Sequence, residues 1–155
     1  MTHEATHEIT LTRIFDAPPE LVYRAFVDPD QLGQWFGPVG FSVPYESVHI
    51  DARPGGYQRL VMVSDDDPSE RSTINATFSE VVENELLAGH QDVEGIPGTT
   101  GSVRLHFRLE FHAEPDGKTR LELRQGPFAE PLGNDSKTGW ESSFTRLDSL
   151  LRRSL

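Results

Sequence analysis

The stretch from Ser102 to His112 constrains the fold more tightly than any other part of the chain. Val103, Leu105, Phe107, Leu109 and Phe111 alternate with Arg104, His106, Arg108, Glu110 and His112. Successive side chains of a strand point to opposite faces, so this period of two specifies a strand with one dry face and one wet face. A dry face has to be covered. The only long apolar stripe that can cover it lies near the C-terminus. From about Asp135 or Ser136 to Arg153, Trp140, Ser143, Phe144, Leu147, Leu150 and Leu151 follow the i, i+3, i+4, i+7 spacing of an amphipathic helix. Lys137, Glu141, Arg146, Asp148 and Arg152 fall on its other side. Arg152 and Arg153 suit the negative end of its dipole.

The rest of the chain fits around this pair. Residues 9–15 are β-rich and read as a strand. In Asp16-Ala-Pro-Pro the aspartate can cap a helix and the prolines suit its first turn, and Glu20 to Phe26 then has helical apolar spacing. Asp28-Pro29 starts a second short helix that runs to about Trp35 and ends at Gly37-Pro38. Further strands are predicted over 47–50, 57–63, 72–82, 85–93, 102–112 and 119–125. Between them lie the turn Asp51 to Gly56, a loop at Gly95 to Gly101 containing Pro97, and the hairpin signal Asp116-Gly117. An irregular stretch is predicted from Gly126-Pro127 to about Asn134. The order implies an α+β fold. A curved antiparallel sheet of about six to seven strands wraps around a long C-terminal helix, with two short helices after the first strand. Residues 1–8 are expected to be a flexible N-terminal tail and 9–155 a single domain.

Composition excludes several function classes. The chain of 155 residues has no cysteine, which removes disulfides, thiolate metal sites and cysteine nucleophiles. Its formal net charge of −11 and its lack of any basic run beyond Arg152-Arg153 argue against nucleic acid as a partner. No apolar stretch approaches the ~20 residues needed to cross a membrane. The N-terminus, MTHEATHEIT, lacks the features of a signal peptide, so a cytoplasmic location is expected.

One motif demands a separate test. His3-Glu4-Ala5-Thr6-His7 matches H-E-x-x-H, which on a helix presents two zinc ligands and a general base. Here too little chain precedes it to build a helix, and a strand is expected from Ile9. The positions of the extended metalloprotease pattern hold Thr10 and Arg13 instead of glycine and histidine. No metal and no other cofactor is expected. There is no Ser-His-Asp set and no glycine-rich phosphate loop.

Several stretches carry a family resemblance in order and separation. They are Asp16-Ala-Pro with Val22 to Pro29, Gln34-Trp35-Phe36-Gly37-Pro38, Asp51 to Gly56, Phe78 to Val81, Thr119 to Leu123, and Gly139-Trp140 with Leu147 and Leu150. Together they resemble the activator of Hsp90 ATPase-like (AHSA1-like) family of the START/Bet v 1-like (SRPBCC) helix-grip superfamily, over about residues 9–153. The resemblance implies a cavity between the sheet and the long helix. Superfamily members bind lipids, sterols, polyketides or other apolar molecules there. Two departures stand out: Gln58 is polar on a face expected to be apolar, and Glu85 stands where arginine is common.

The strand faces then nominate the residues of such a cavity. Gln58, Leu60, Met62, Phe78, Leu105, Phe107, Leu123 and Gln125 are expected to face the helix, and Trp140, Phe144 and Leu147 to answer from it. Trp35, Phe36 and Phe41 are expected at one end of the groove. The two tryptophans are the strongest candidates, being large with an N–H that needs a partner. The same residues would equally serve as core, since a covering helix needs a buried stripe. The leading expectation is a binding protein for a small apolar or amphipathic molecule. A cyclase- or hydratase-like enzyme using the same cavity is the second reading, and it needs an ionisable group inside. An Hsp90 co-chaperone-like interaction module is the third. A homodimer through an exposed sheet or helix edge is left open.

Overall fold

A computed structural model describes residues 6–94, 102–129 and 132–154. The loop expected at 95–101 and residues 1–5 of the expected tail lie outside them. The elements run β1 (Thr6–Phe15), α1 (Pro19–Val27), α2 (Pro29–Trp35), β2 (Phe41–Ser42), a 3-10 turn (Tyr45–Ser47), β3 (His49–Asp51), β4 (Tyr57–Ser64), β5 (Arg71–Val82), β6 (Leu86–Glu94), β7 (Ser102–Glu114), β8 (Lys118–Ala129) and α3 (Leu132–Ser154). The eight strands form one antiparallel sheet in the order β1-β8-β7-β6-β5-β4-β2, with β3 also pairing β4. The helix-grip architecture expected from the sequence is the one observed.

Alternation along β7 survives folding. Leu105, Leu109 and Phe111 are buried and Phe107 partly so, while Arg104, His106 and Arg108 are exposed. The stripe on α3 meets that dry face. Ser143, Phe144, Leu147, Leu150 and Leu151 are all buried. Phe144 is the centre of the contact. Its ring meets Phe15 edge-on at 5.7 Å and lies 6.4 Å from Trp35.

The short helices close one end. Asp28 caps α2 by accepting from the Asp30 N–H at 2.9 Å, as its residue type suggests. Asp16 does not cap α1. The N-cap position is Pro18, and no side chain bonds there. The turn is held from the sheet instead, where the buried Thr119 hydroxyl donates to the Ala17 carbonyl at 2.7 Å. In the turn before β4, Arg53 pairs with Asp51 at 2.7 Å. A Cβ on Gly56 would fall 2.0 Å from the Asp51 carbonyl oxygen, so only glycine fits.

The boundaries differ from the sequence reading near the termini. β1 begins at Thr6 because β8 continues through Gly126-Pro127 and offers Phe128 and Ala129 as partners for His7 and Thr6. Gly126 permits this: a Cβ there would lie 2.9 Å from the Glu8 Cα. Thr6 and His7 are therefore strand, and the last two residues of the H-E-x-x-H pattern are not helical. α3 starts at Leu132 instead of 135 or 136, with Gly133 seated in its first turn against Phe128 and Ile9.

If Phe144 carries the helix–sheet contact, Phe144→Ala should cost about 3–5 kcal/mol. Urea unfolding would register this as a lower midpoint with little change in slope. A loss below about 1 kcal/mol would mean the helix is held elsewhere.

Candidate functional site

α3 covers the sheet unevenly. Its C-terminal half presents Phe144, Leu147 and Leu151, all fully or nearly fully buried. Its N-terminal half presents Ser136, Gly139 and Ser143 beside Trp140 at helical spacing, and these small residues do not fill the space beneath. A Cβ placed on Gly139 would meet nothing within 4 Å. The result is a cavity of about 190 Å³ that opens to solvent. The chain leaving α2 supplies Phe36, Gly37 and Pro38, the sheet supplies Met62, Ile74, Gln91 and Gln125, and α3 supplies the rest. A deeper recess of about 30 Å³ adds Phe26, Gln58, Ala76, Phe107, Leu109 and Leu123. The two spaces share Phe36, Ile74, Gln91, Gln125 and Trp140.

The shared wall is rigidly built. Trp140 Nε1 donates to Gln125 Oε1 at 2.9 Å, and Ser136 Oγ donates to the same oxygen at 3.0 Å. An amide oxygen has two lone pairs, so two donors saturate it. The bonds tie α3 to β8 across the cavity. The Trp140 ring stands edge-on to Phe36 at 5.8 Å and packs on Phe144 at 5.5 Å.

The rim is held by α3 as well. Arg146 Nη1 donates to the carbonyls of Gly37 at 2.9 Å and of Phe36 and Phe41 at 3.3 Å. Ser142 Oγ accepts from the Val39 N–H at 2.9 Å. A guanidinium has donors to spare for several carbonyls, and its charge suits the C-terminal end of α2. Arg146 falls on the polar side in the helical spacing, and only the fold reveals that it clamps the 36–41 segment.

Of the residues nominated from sequence, Phe36, Gln58, Met62, Phe107, Leu123, Gln125 and Trp140 line the cavity or its recess. The others stand behind it. Trp35, ranked with Trp140 from its size and N–H, is fully buried, and its Nε1 donates to the Ala25 carbonyl at 2.9 Å. It is core because that carbonyl satisfies its polar atom inside the α1–α2 pair. Leu60, Phe78, Phe144 and Leu147 are likewise core, and Leu105 packs with Ile9 and Phe128 in a separate cluster against Trp140. Phe41 lines neither space, and its carbonyl accepts from Arg146 at the rim. Gln91, Ile74, Ala76, Ser136 and Ser143 were not nominated. The serines and Gly139 interrupt the helical stripe at i, i+3 and i+7, a sequence signal for a gap. Gln91 has no such signal, because β6 reads LLAGHQDVE without clean alternation.

Among the described residues, no Asp, Glu, His, Lys or Arg lines either space. The cyclase or hydratase reading required an ionisable group there and is not carried further. His49 and His106 are exposed, and His90 pairs with His106 in register, so it shares the wet face. On that outer face Glu110, His112 and Glu122 bring potential ligand atoms within 4.8 Å of one another. His112 Nε2 lies 3.3 Å from Glu110 and 3.1 Å from Glu122. The other carboxylate oxygens face arginine, Arg108 for Glu110 at 2.9 Å and Arg120 for Glu122 at 3.5 Å. The Arg108 hydrogen bond holds the Glu110 carboxyl below its ordinary pKa, against the opposing effect of burial. Both arginines are shared, Arg108 with Glu80 at 3.4 Å and Arg120 with Glu114 at 2.6 Å, so the cluster is a surface ion-pair network.

No curated protein matches the chain. Among solved structures, a protein of Chromobacterium violaceum is 26% identical with a TM-score of 0.80, the match covering 93% of this chain and 96% of that one. The AHSA1 protein of Silicibacter pomeroyi is 24% identical over 96% of this chain and 100% of its own, with a TM-score of 0.80. A solution structure from Staphylococcus epidermidis is 24% identical over 99% and 94%, with a TM-score of 0.76. These likenesses concern the fold. A family model, that of the activator of Hsp90 ATPase homolog 1-like proteins, matches residues 16–152. The match spans most of the chain, and the protein belongs to that family.

Proposed function

We propose that this protein binds a small apolar or amphipathic molecule in the cavity under the N-terminal half of α3. The observation that carries the reading is a cavity of about 190 Å³ left between helix and sheet, with walls that are mostly apolar and a hydrogen-bonded anchor, Trp140 on Gln125. Apolar concavities with a few convergent polar groups are the usual form of small-molecule sites. The fold, shared with ligand-binding modules generally, supports the same reading.

Trp140, Phe36, Met62 and Phe107 are the proposed apolar contacts, and Gln58, Gln91 and Gln125 the proposed polar ones. Trp35, Phe144 and Leu147 support the wall from behind. The volume bounds the ligand. It slightly exceeds the ~150 Å³ of an engineered cavity that holds benzene, and it lies below the ~300 Å³ at which drug-sized sites begin.

Two outcomes are expected. Trp140→Ala should weaken binding of a cavity ligand by tenfold or more in calorimetric titration, while costing less stability than Phe144→Ala, because Trp140 is only partly buried. For an uncharged ligand, affinity should stay flat between about pH 6 and 8, since among the described residues no lining side chain titrates there. A strong pH dependence, or unchanged affinity in Trp140→Ala, would place the binding site elsewhere.

A further inference from the structure

The recess behind the main chamber narrows the ligand class. We infer that the bound molecule is an uncharged, flat one- or two-ring compound whose single small polar group, a hydroxyl or carbonyl, enters the recess between Gln58 and Gln91. This rests on the proposed reading of the cavity.

Register places the two amides. Gln58 pairs with Ala76, and Ala76 pairs with Gln91. Residues opposed across antiparallel strands point to the same face, so the three form one row across β4, β5 and β6. Two strand spacings put the glutamine Cα atoms about 10 Å apart. Between them Ala76 contributes only a methyl group, so the row is a notch with an amide on each side and an apolar floor.

The amides are available. Gln58 and Gln91 are partly buried, and among the described residues neither side chain hydrogen-bonds to another. Gln125 differs: its amide oxygen is occupied by Trp140 and Ser136. Each free amide offers donors and an acceptor, so the pair can bond a hydroxyl in both directions or donate to a carbonyl.

Size and charge decide which group enters. The recess holds about 30 Å³, the share of one liquid water. That admits one oxygen-bearing group and not a carboxylate or phosphate with its hydration. An ion of either sign would lose water with no counter-charge among the described wall residues, and the net charge of −11 further disfavours an anion. The ring system is set by the chamber, where the aromatic side chains of Trp140 and Phe36 both line the wall and suit a flat aromatic partner.

The test uses three probes of one shape, naphthalene, 2-naphthol and 2-naphthoate, titrated calorimetrically against the full chain. The expected order is 2-naphthol tightest, naphthalene about tenfold weaker, the worth of one net hydrogen bond, and 2-naphthoate weaker still. In the folded Gln58→Leu/Gln91→Leu variant, checked by circular dichroism, the preference of naphthol over naphthalene should fall to about one. Should that variant not fold, the order among the three probes on the unaltered protein decides. Naphthalene or 2-naphthoate binding as tightly as 2-naphthol would overturn the polar-group inference and leave the cavity reading standing. Absence of binding by all three would overturn both.

Discussion

A sheet with one wet face is stable only when its other face is covered, and here α3 supplies most of that cover. The rest of the structure depends on how it does so. Over its C-terminal half the contact is closed by Phe144, Leu147 and Leu151 against Phe15 and Leu121, all nearly inaccessible to water. Apolar burial of this kind, at roughly 25 cal/mol per Å², is the dominant stabilising term. Over its N-terminal half the same helix is tied to the sheet by hydrogen bonds from Trp140 and Ser136 to Gln125, with small residues, serine and glycine, over the space beside them. Close packing at one end fixes the helix and permits incomplete packing at the other. Interiors are otherwise filled to crystal density, and the space of about 190 Å³ left under this half of the helix opens to solvent.

Most of the architecture was legible from two periodicities. The period of two in β7 and the 3.6 period of α3 implied the sheet, its dry face and its cover. Pro-Gly turn chemistry supplied the order of the rest. What failed to read locally was set by pairing between distant segments. Gly126-Pro127 resembles a strand end, yet β8 continues because β1 lies alongside it to Thr6. The H-E-x-x-H pattern loses its helical meaning for the same reason, since His7 is paired with Phe128 in a sheet.

The site was half legible. Alternation placed Gln58, Met62, Phe107, Leu123 and Gln125 on the cavity face. It could not say which large side chains would leave space and which would fill it. Trp35 and Trp140 look equivalent in sequence. One finds a backbone carbonyl in the core and the other a glutamine across a gap. Gln91 was invisible because β6 reads LLAGHQDVE without clean alternation, and only its register with Ala76 places it on the cavity face. The role of Arg146 was not legible for a different reason. A long side chain rooted on the polar side of a helix can reach round to carbonyls on a neighbouring element.

Membership in the activator of Hsp90 ATPase homolog 1-like family gives this chain a scaffold, and among the described residues those lining its cavity are apolar side chains, glycines, serines and three glutamine amides. The central claim is that ligand enters beside Trp140 and not Trp35. The chain has two tryptophans, so a proton–nitrogen correlation spectrum should show two indole N–H signals. On titration with 2-naphthol, the Trp140 signal should move, because its N–H bonds Gln125 on the shared cavity wall. The Trp35 signal, buried against Ala25, should stay. Movement of the Trp35 signal alone, or of neither, would contradict the account.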